Sequence, residues 1–296
     1  MILSFKPYYQ VEAYGCVTNN MKIHVLVDNN TLIDRYLLAE PGFSVLIEEG
    51  DRRILFDTGY SDVFIRNSQR LGLDLSHLDF LALSHSHMDH TWGLDPFIRY
   101  FNEMNIEGRA YSKPKIIAHS QTFVSVVDED LGELGSLISK EKLAKHFELK
   151  LTDKPLWLTD RLVFLGQIPR KNDFESILKF GKKEGSDEED WVIEDSALAY
   201  KSEDGLVIIT GCSHSGICNI IEYAREVCNE TRIHDVLGGL HLQKPPKQQM
   251  QGTLRYFEKL DICQMHACHC TDLESKILLS KVVDLKEVGV GLSLLY

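Results

Sequence analysis

Three histidines and an aspartate stand within six residues in the segment Ser84-His85-Ser86-His87-Met88-Asp89-His90. The pattern H-x-H-x-D-H closes a short apolar run, Leu78–Leu83, so its side chains belong at the mouth of a strand. Imidazoles two residues apart on an extended backbone project the same way. The turn that follows brings Asp89 and His90 to the same rim from another angle. One loop thus offers two separate pairs of metal ligands. Histidine suits zinc, iron or manganese, and a single carboxylate adds negative charge without closing the coordination sphere. A solvated polar loop would give no reason for such a concentration, because ordinary surface side chains contribute only within about ±0.5 kcal/mol each.

Such a cluster needs a sheet to hold it, and the chain supplies one. Lys22–Asp28 reads as a strand, and Val45–Glu48 with Arg53–Asp57 reads as a hairpin around Glu49-Gly50-Asp51. Ser61–Leu71 has a Ser/Asp start and a helical apolar spacing, and Lys115–His119 is a further buried strand. Beyond it the pattern predicts a helix at Ser139–Phe147, strands at Leu156–Leu158 and Leu162–Leu165, and an exposed charged loop at Lys182–Asp190. Strands at Ser196–Lys201, Leu206–Gly211, Asp235–Leu237 and Ile262–Met265 then alternate with helices at Ile217–Cys228, Met250–Lys259 and Ser275–Val283, before a last strand at Val288–Leu294. Alternation of this kind belongs to the α/β (α+β) class.

Three later strands end in more candidates: Thr210-Gly211-Cys212-Ser213-His214-Ser215-Gly216, Gly238-Gly239-Leu240-His241-Leu242 and Met265-His266-Ala267-Cys268-His269-Cys270-Thr271. A helix starting near Ser215-Gly216 would suit an anion close by. Cys263, Cys268 and Cys270 lack the two-residue knuckle spacing of a structural zinc site. His266 reads as a core histidine; His24, His77, His119, His146 and His234 have no partner in spacing.

His85-Ser86-His87-Met88-Asp89-His90, preceded by Phe56-Asp57-Thr58-Gly59, resembles the first two motifs of the metallo-β-lactamase fold hydrolases. The resemblance implies a four-layer αββα sandwich with two divalent transition-metal ions at one edge, zinc first, with manganese or iron as alternatives. By position it gives one metal to His85 and His87, the other to Asp89 and His90, and a supporting role to Asp57. Where most of the superfamily has Thr-Gly-Asp with a bridging aspartate, this chain has Cys212. The usual third histidine motif is replaced by Gly166-Gln167-Ile168-Pro169-Arg170, so His214 is expected to supply the third imidazole of the first metal. His269, near the C-terminus, is expected on the second metal, and His241 on the site wall or in proton transfer; Asp89 and His241 are the candidate catalytic groups. Together with Met21-Lys22-Ile23 and Asp28-Asn29, these motifs are similar to a dihydropteroate-synthase-like branch. That branch includes an archaeal enzyme joining a dihydropterin diphosphate to a ribofuranosyl-aminobenzene phosphate.

Composition excludes several other classes. With 32 Lys+Arg against 44 Asp+Glu the chain carries a formal charge of −12, which disfavours a nucleic acid partner. No window approaches about 18 uninterrupted apolar residues, so no membrane span is expected. The first ten residues lack the apolar core of a secretory signal, and the seven cysteines are odd in number and scattered, so a cytoplasmic location without a disulfide framework is expected. Residues 1–20 precede the usual family start and read as an added strand or an extension. The whole chain, 1–296, reads as one domain with an insertion at about 123–190 acting as a lid or a contact in a homo-oligomer.

The function expected from these readings is a metal-dependent hydrolase or transferase acting on a small phosphorylated molecule, a pterin diphosphate among the candidates. It would use a metal-activated water or a metal-polarised phosphate, with Arg170, aided by Lys171, binding the phosphate. The competing expectation is a non-catalytic or redox di-metal protein, motivated by Cys212, Cys268 and Cys270.

Overall fold

The computed structural model describes residues 20–296, so all but the last residue of the 1–20 expectation lies outside it. Two sheets form the frame. The first runs in the order Ser293–Leu295, Met21–Val27, Ser44–Glu49, Arg52–Phe56, Phe80–Ala82, Lys115–Ala118, Glu148–Leu151. The second runs Ile262–Cys268, Ile233–Gly239, Leu206–Thr210, Ala197–Lys201, Leu162–Phe164, Leu156–Trp157. Period-two alternation sorts their side chains into three cores. Ile23, Ile47 and Phe56 of the first sheet meet Phe164, Val207 and Ile209 of the second. Leu26, Leu46 and Leu55 face Phe64, Phe97 and Phe101 of the helices Val63–Leu71 and Leu94–Ile106. Ile208 and Val236 face Ile217, Ile221 and Phe257 of the helices Ile217–Cys228 and Lys247–Phe257. Helix, sheet, sheet, helix is the four-layer αββα sandwich. Strands apolar on both faces, such as Leu206–Thr210, are apolar throughout because both faces are covered.

The expected insertion at about 123–190 is not one continuous excursion. Glu148–Leu151 pairs in parallel with Lys115–Ala118, and Leu162–Phe164 pairs with Ala197–Lys201, so the middle of that stretch belongs to the two main sheets. Its flanks form a separate small sheet in which Lys182–Lys183 pairs with Val126–Asp128 and Val126–Asp128 with Gly132–Glu133. The expected helix at 139–147 shortens to Lys140–Leu143, because the chain must straighten into the edge strand that follows. The helix Leu94–Ile106 is not anticipated by the sequence reading. No described helix is long and apolar enough to cross a membrane.

Candidate metal centre

The first sheet delivers the H-x-H-x-D-H segment. Strand Phe80–Ala82 ends just before Ser84, and the one-turn helix Met88–Thr91 swings Asp89 and His90 back toward His85. Asp57, at the end of Arg52–Phe56, organises this turn from a left-handed backbone (φ 57°). Its Oδ1 accepts from the Ser84 backbone N–H at 2.7 Å, and its Oδ2 accepts from Ser84 Oγ and from His90 Nδ1, each also at 2.7 Å. With Nδ1 committed to the carboxylate, His90 turns Nε2 toward the centre. Gly211 makes this possible from the opposite sheet, since a Cβ there would collide with Ser84 Oγ and lie 2.9 Å from Asp57 Oδ2.

The second sheet delivers the remaining donors. Leu206–Thr210, Ile233–Gly239 and Ile262–Cys268 are adjacent and parallel, so their C-terminal ends open on one edge. Cys212 with His214, His241, and His269 with Cys270 follow those three ends. Ser213 (φ 63°), His241 (φ 50°) and His269 (φ 50°) hold left-handed backbones there, a strain that tightly packed functional loops can hold. Asp28 Oδ1 accepts from the His269 backbone N–H at 2.9 Å and Asn29 Oδ1 lies 2.9 Å from His269 Nδ1, leaving His269 Nε2 3.3 Å from Asp89 Oδ2 and 3.2 Å from His90 Nε2.

The result is two donor groups that share one sulfur. Ligand atoms of His85, Cys212 and His214 all lie within 4.8 Å of one another, as do those of Asp89, His90, Cys212 and His269. His87 joins the first group, its ring centroid 4.7 Å from those of both His85 and His214. Nε2 of His85, Nε2 of His87 and both ring nitrogens of His214 are buried without a hydrogen-bond partner. Buried ring nitrogens without partners, gathered this closely, are costly unless a cation takes them, so the donor set fits a metal ion. Burial, then neighbouring imidazoles, pushes the pKa of His85 and of His214 well below the usual histidine range. Burial likewise lowers His87 to about 4. Neutral imidazole is the form that ligates. Burial opposes ionisation of Asp89, but His90 and the hydrogen-bonded His269 outweigh it and hold its pKa well below the carboxylate norm.

A roof covers the first group. The Phe180 ring sits 5.6 Å from His87, 4.9 Å from His214 and 5.1 Å from His241, centroid to centroid. Its loop is tied down by Lys183, whose Nζ reaches Glu194 Oε2 at 3.1 Å, while Ser86 Oγ donates to Glu194 Oε1 at 2.6 Å. Lys182–Asp190 is therefore not a purely exposed loop. Phe180 and Glu194 carry no local spacing signal in the sequence; only the fold brings them here.

The structure puts His241 beside His214, with ring centroids 4.3 Å apart. Arg170 is placed differently from expectation: its Nη2 donates to the carbonyls of Trp191 (2.6 Å) and Val192 (2.9 Å), so the guanidinium staples the roof loop. Lys171 pairs with Glu226 on the outer helix, at 2.9 Å. The helix N-terminus at Gly216 already has its anion, because the buried Glu175 carboxylate accepts from the backbone N–H groups of Cys218 (2.9 Å) and Asn219 (3.1 Å). His266 is a core histidine, 2.7 Å from Asp235. Cys268 is buried between the sheets, outside every donor group, whereas Cys270 reaches the centre.

Residues 37–225 match the profile of the metallo-beta-lactamase superfamily. The chain is 32% identical, over 88% of its length and 94% of the relative's, to an uncharacterised protein of Methanocaldococcus jannaschii. It is 28% identical, over 87% of its length and 90% of the relative's, to the 7,8-dihydropterin-6-methyl-4-(beta-D-ribofuranosyl)-aminobenzene-5'-phosphate synthase of the same organism. A solved metal-dependent hydrolase of the beta-lactamase superfamily superposes with a TM-score of 0.75 at 27% identity, covering 93% of this chain and 98% of that one. A profile spanning most of the chain, a sandwich of the same architecture and a donor-lined edge where the two sheets meet agree: the chain belongs to the metallo-beta-lactamase superfamily.

Proposed function

We propose that the chain is a two-metal enzyme that hydrolyses or transfers a small phosphorylated substrate, with a pterin diphosphate as the leading class. The observation that carries this reading is the pair of donor groups meeting at Cys212, His85 and His214 on one side with the His87 ring beside them, and Asp89–His90–His269 on the other. Divalent ions held there would supply Lewis acidity toward a phosphoryl oxygen and neutralise its charge. In this reading Asp57 and Asn29 orient the His90 and His269 rings through their Nδ1 atoms, and Phe180 excludes water from the first group. His241 stands on the wall of this centre, its ring centroid 4.3 Å from that of His214. With Arg170 engaged by backbone carbonyls, positive charge for a phosphate falls to the ions in this net-acidic chain. The 28% identity to a pterin-related synthase supports the substrate class.

The test is a parallel assay of zinc- and manganese-loaded protein. A dihydropterin diphosphate is supplied with a ribofuranosyl-aminobenzene phosphate in one arm and a panel of simple phosphoesters in the other, with products separated by chromatography. Turnover in either arm that is abolished in His87→Ala supports the reading. Absence of turnover in both arms, with both ions bound, sinks it. A redox di-metal protein is the competing reading, favoured by the Cys212 and Cys270 thiols within the centre. Visible absorbance from bound iron would select it; a colourless two-ion protein counts against it.

A further inference from the structure

A third donor group lies against the two already described: Cys212 Sγ, Cys270 Sγ and a ring nitrogen of His241 all lie within 4.8 Å of one another. The three residues leave three adjacent parallel strands, so the sheet itself sets their spacing. Two details show that the fold makes room for the second sulfur. Gly239 has no Cβ where one would stand 2.6 Å from Cys270 Sγ, and the His241 backbone N–H points at that sulfur from 3.2 Å. A third detail points to a ligand: His241 Nδ1 is a buried nitrogen with no hydrogen-bond partner. His241 shares its left-handed backbone (φ 50°) with His269 at the end of the neighbouring strand.

We propose that Cys212, Cys270 and His241 bind a third metal ion, of thiophilic character, next to the histidine-rich pair. Two thiols and one imidazole make a soft donor set that selects zinc, cadmium or cobalt(II) over magnesium, calcium or manganese. Each thiol releases its proton to solvent as the metal–sulfur bond forms, so binding involves no change of oxidation state. Cys212 then links the third position to the other two, and the fourth coordination position is left to solvent or substrate. This inference rests on the two-metal reading and adds a position to it.

Cobalt(II) alone is the probe, titrated into the full chain kept reduced with a phosphine, and followed by bound-metal analysis and by the near-ultraviolet sulfur-to-cobalt charge-transfer band. The expected result is one more ion per chain in the wild type than in Cys270→Ser, with the band roughly halved in that variant because one of two thiolates is gone. His241→Ala should lose the same ion while circular dichroism shows the fold intact. In His85→Ala with His87→Ala, the Cys270-dependent part of the band should persist. Wild-type stoichiometry and an unchanged band in Cys270→Ser would overturn the third position and leave the two-metal reading standing. A wild type that binds no cobalt at all would overturn both.

Discussion

Asp57 Oδ2 accepts a 2.7 Å hydrogen bond from His90 Nδ1, and neither side chain has any exposure to solvent. A carboxylate can only accept, so it fixes the histidine tautomer that presents Nε2 to the centre. Asp57→Asn puts an amide N–H where the acceptor stood and favours the wrong tautomer. Ion affinity at the Asp89–His90–His269 group should fall by about 10- to 100-fold, while the His85–His87–His214 group keeps its own. Competition titration of zinc against a chelator checks this. Two unchanged binding steps would remove Asp57 from the centre.

Replacing both His85 and His87 by Ala removes two of the three imidazoles in the first group. The double variant should bind at least one ion fewer by elemental analysis. Unchanged metal content would contradict the assignment of this group.

Glu175 gives a pH dependence with a definite sign. Burial, partly offset by the N–H groups of Cys218 and Asn219, holds its pKa above the ordinary 4.5. Between those two values the folded chain keeps a proton that the unfolded chain has released. Stability contributed by this group is therefore present below pH 4.5 and lost as pH rises through the raised value. In Glu175→Gln the stability-versus-pH curve should lose that component, a difference in slope of up to about 1.4 kcal/mol per pH unit within the window. Urea unfolding at a series of pH values measures it, and parallel curves for the two proteins would show that Glu175 binds its proton equally well folded and unfolded.

Arg170→Lys tests the staple on the roof loop. One ammonium cannot serve both carbonyls with the same fork geometry. Chymotrypsin should cut at Phe180 or Trp191 roughly tenfold faster in the variant, the scale set by losing part of a charged hydrogen-bond pair. Affinity for inorganic phosphate should stay within a factor of about two, since the guanidinium is bound to carbonyls. A large fall in phosphate affinity with unchanged cutting would return Arg170 to the substrate.

Much of the frame was legible from periodicity alone. The strands around Met21–Val27, Ser44–Glu49 and Leu206–Thr210 are apolar enough to stand out, and Ile217–Cys228 repeats at helical spacing. Leu94–Ile106 escaped although Leu94, Phe97, Phe101 and Met104 follow that spacing, because Pro96 in its first turn interrupts the pattern while being tolerated there. Glu148–Leu151 escaped because an edge strand that is partly exposed along its length carries little apolar signal. At the site, His85 to His90 declare themselves by density along the chain. Phe180 and Glu175 do not, since each owes its role to residues far away in sequence: His214 and Cys218. Side-chain contacts of that kind have no period to read.

One edge of the first sheet is supplied from far along the chain: Ser293–Leu295 pairs with Met21–Val27, and Asp28, just beyond that strand, holds His269. During synthesis one side of Met21–Val27 must therefore stay unpaired until Ser293–Leu295 has been made. The second donor group stays incomplete for nearly as long. A chain ending after the helix Leu273–Leu279 would hold every donor yet leave one side of Met21–Val27 open to pairing with another strand.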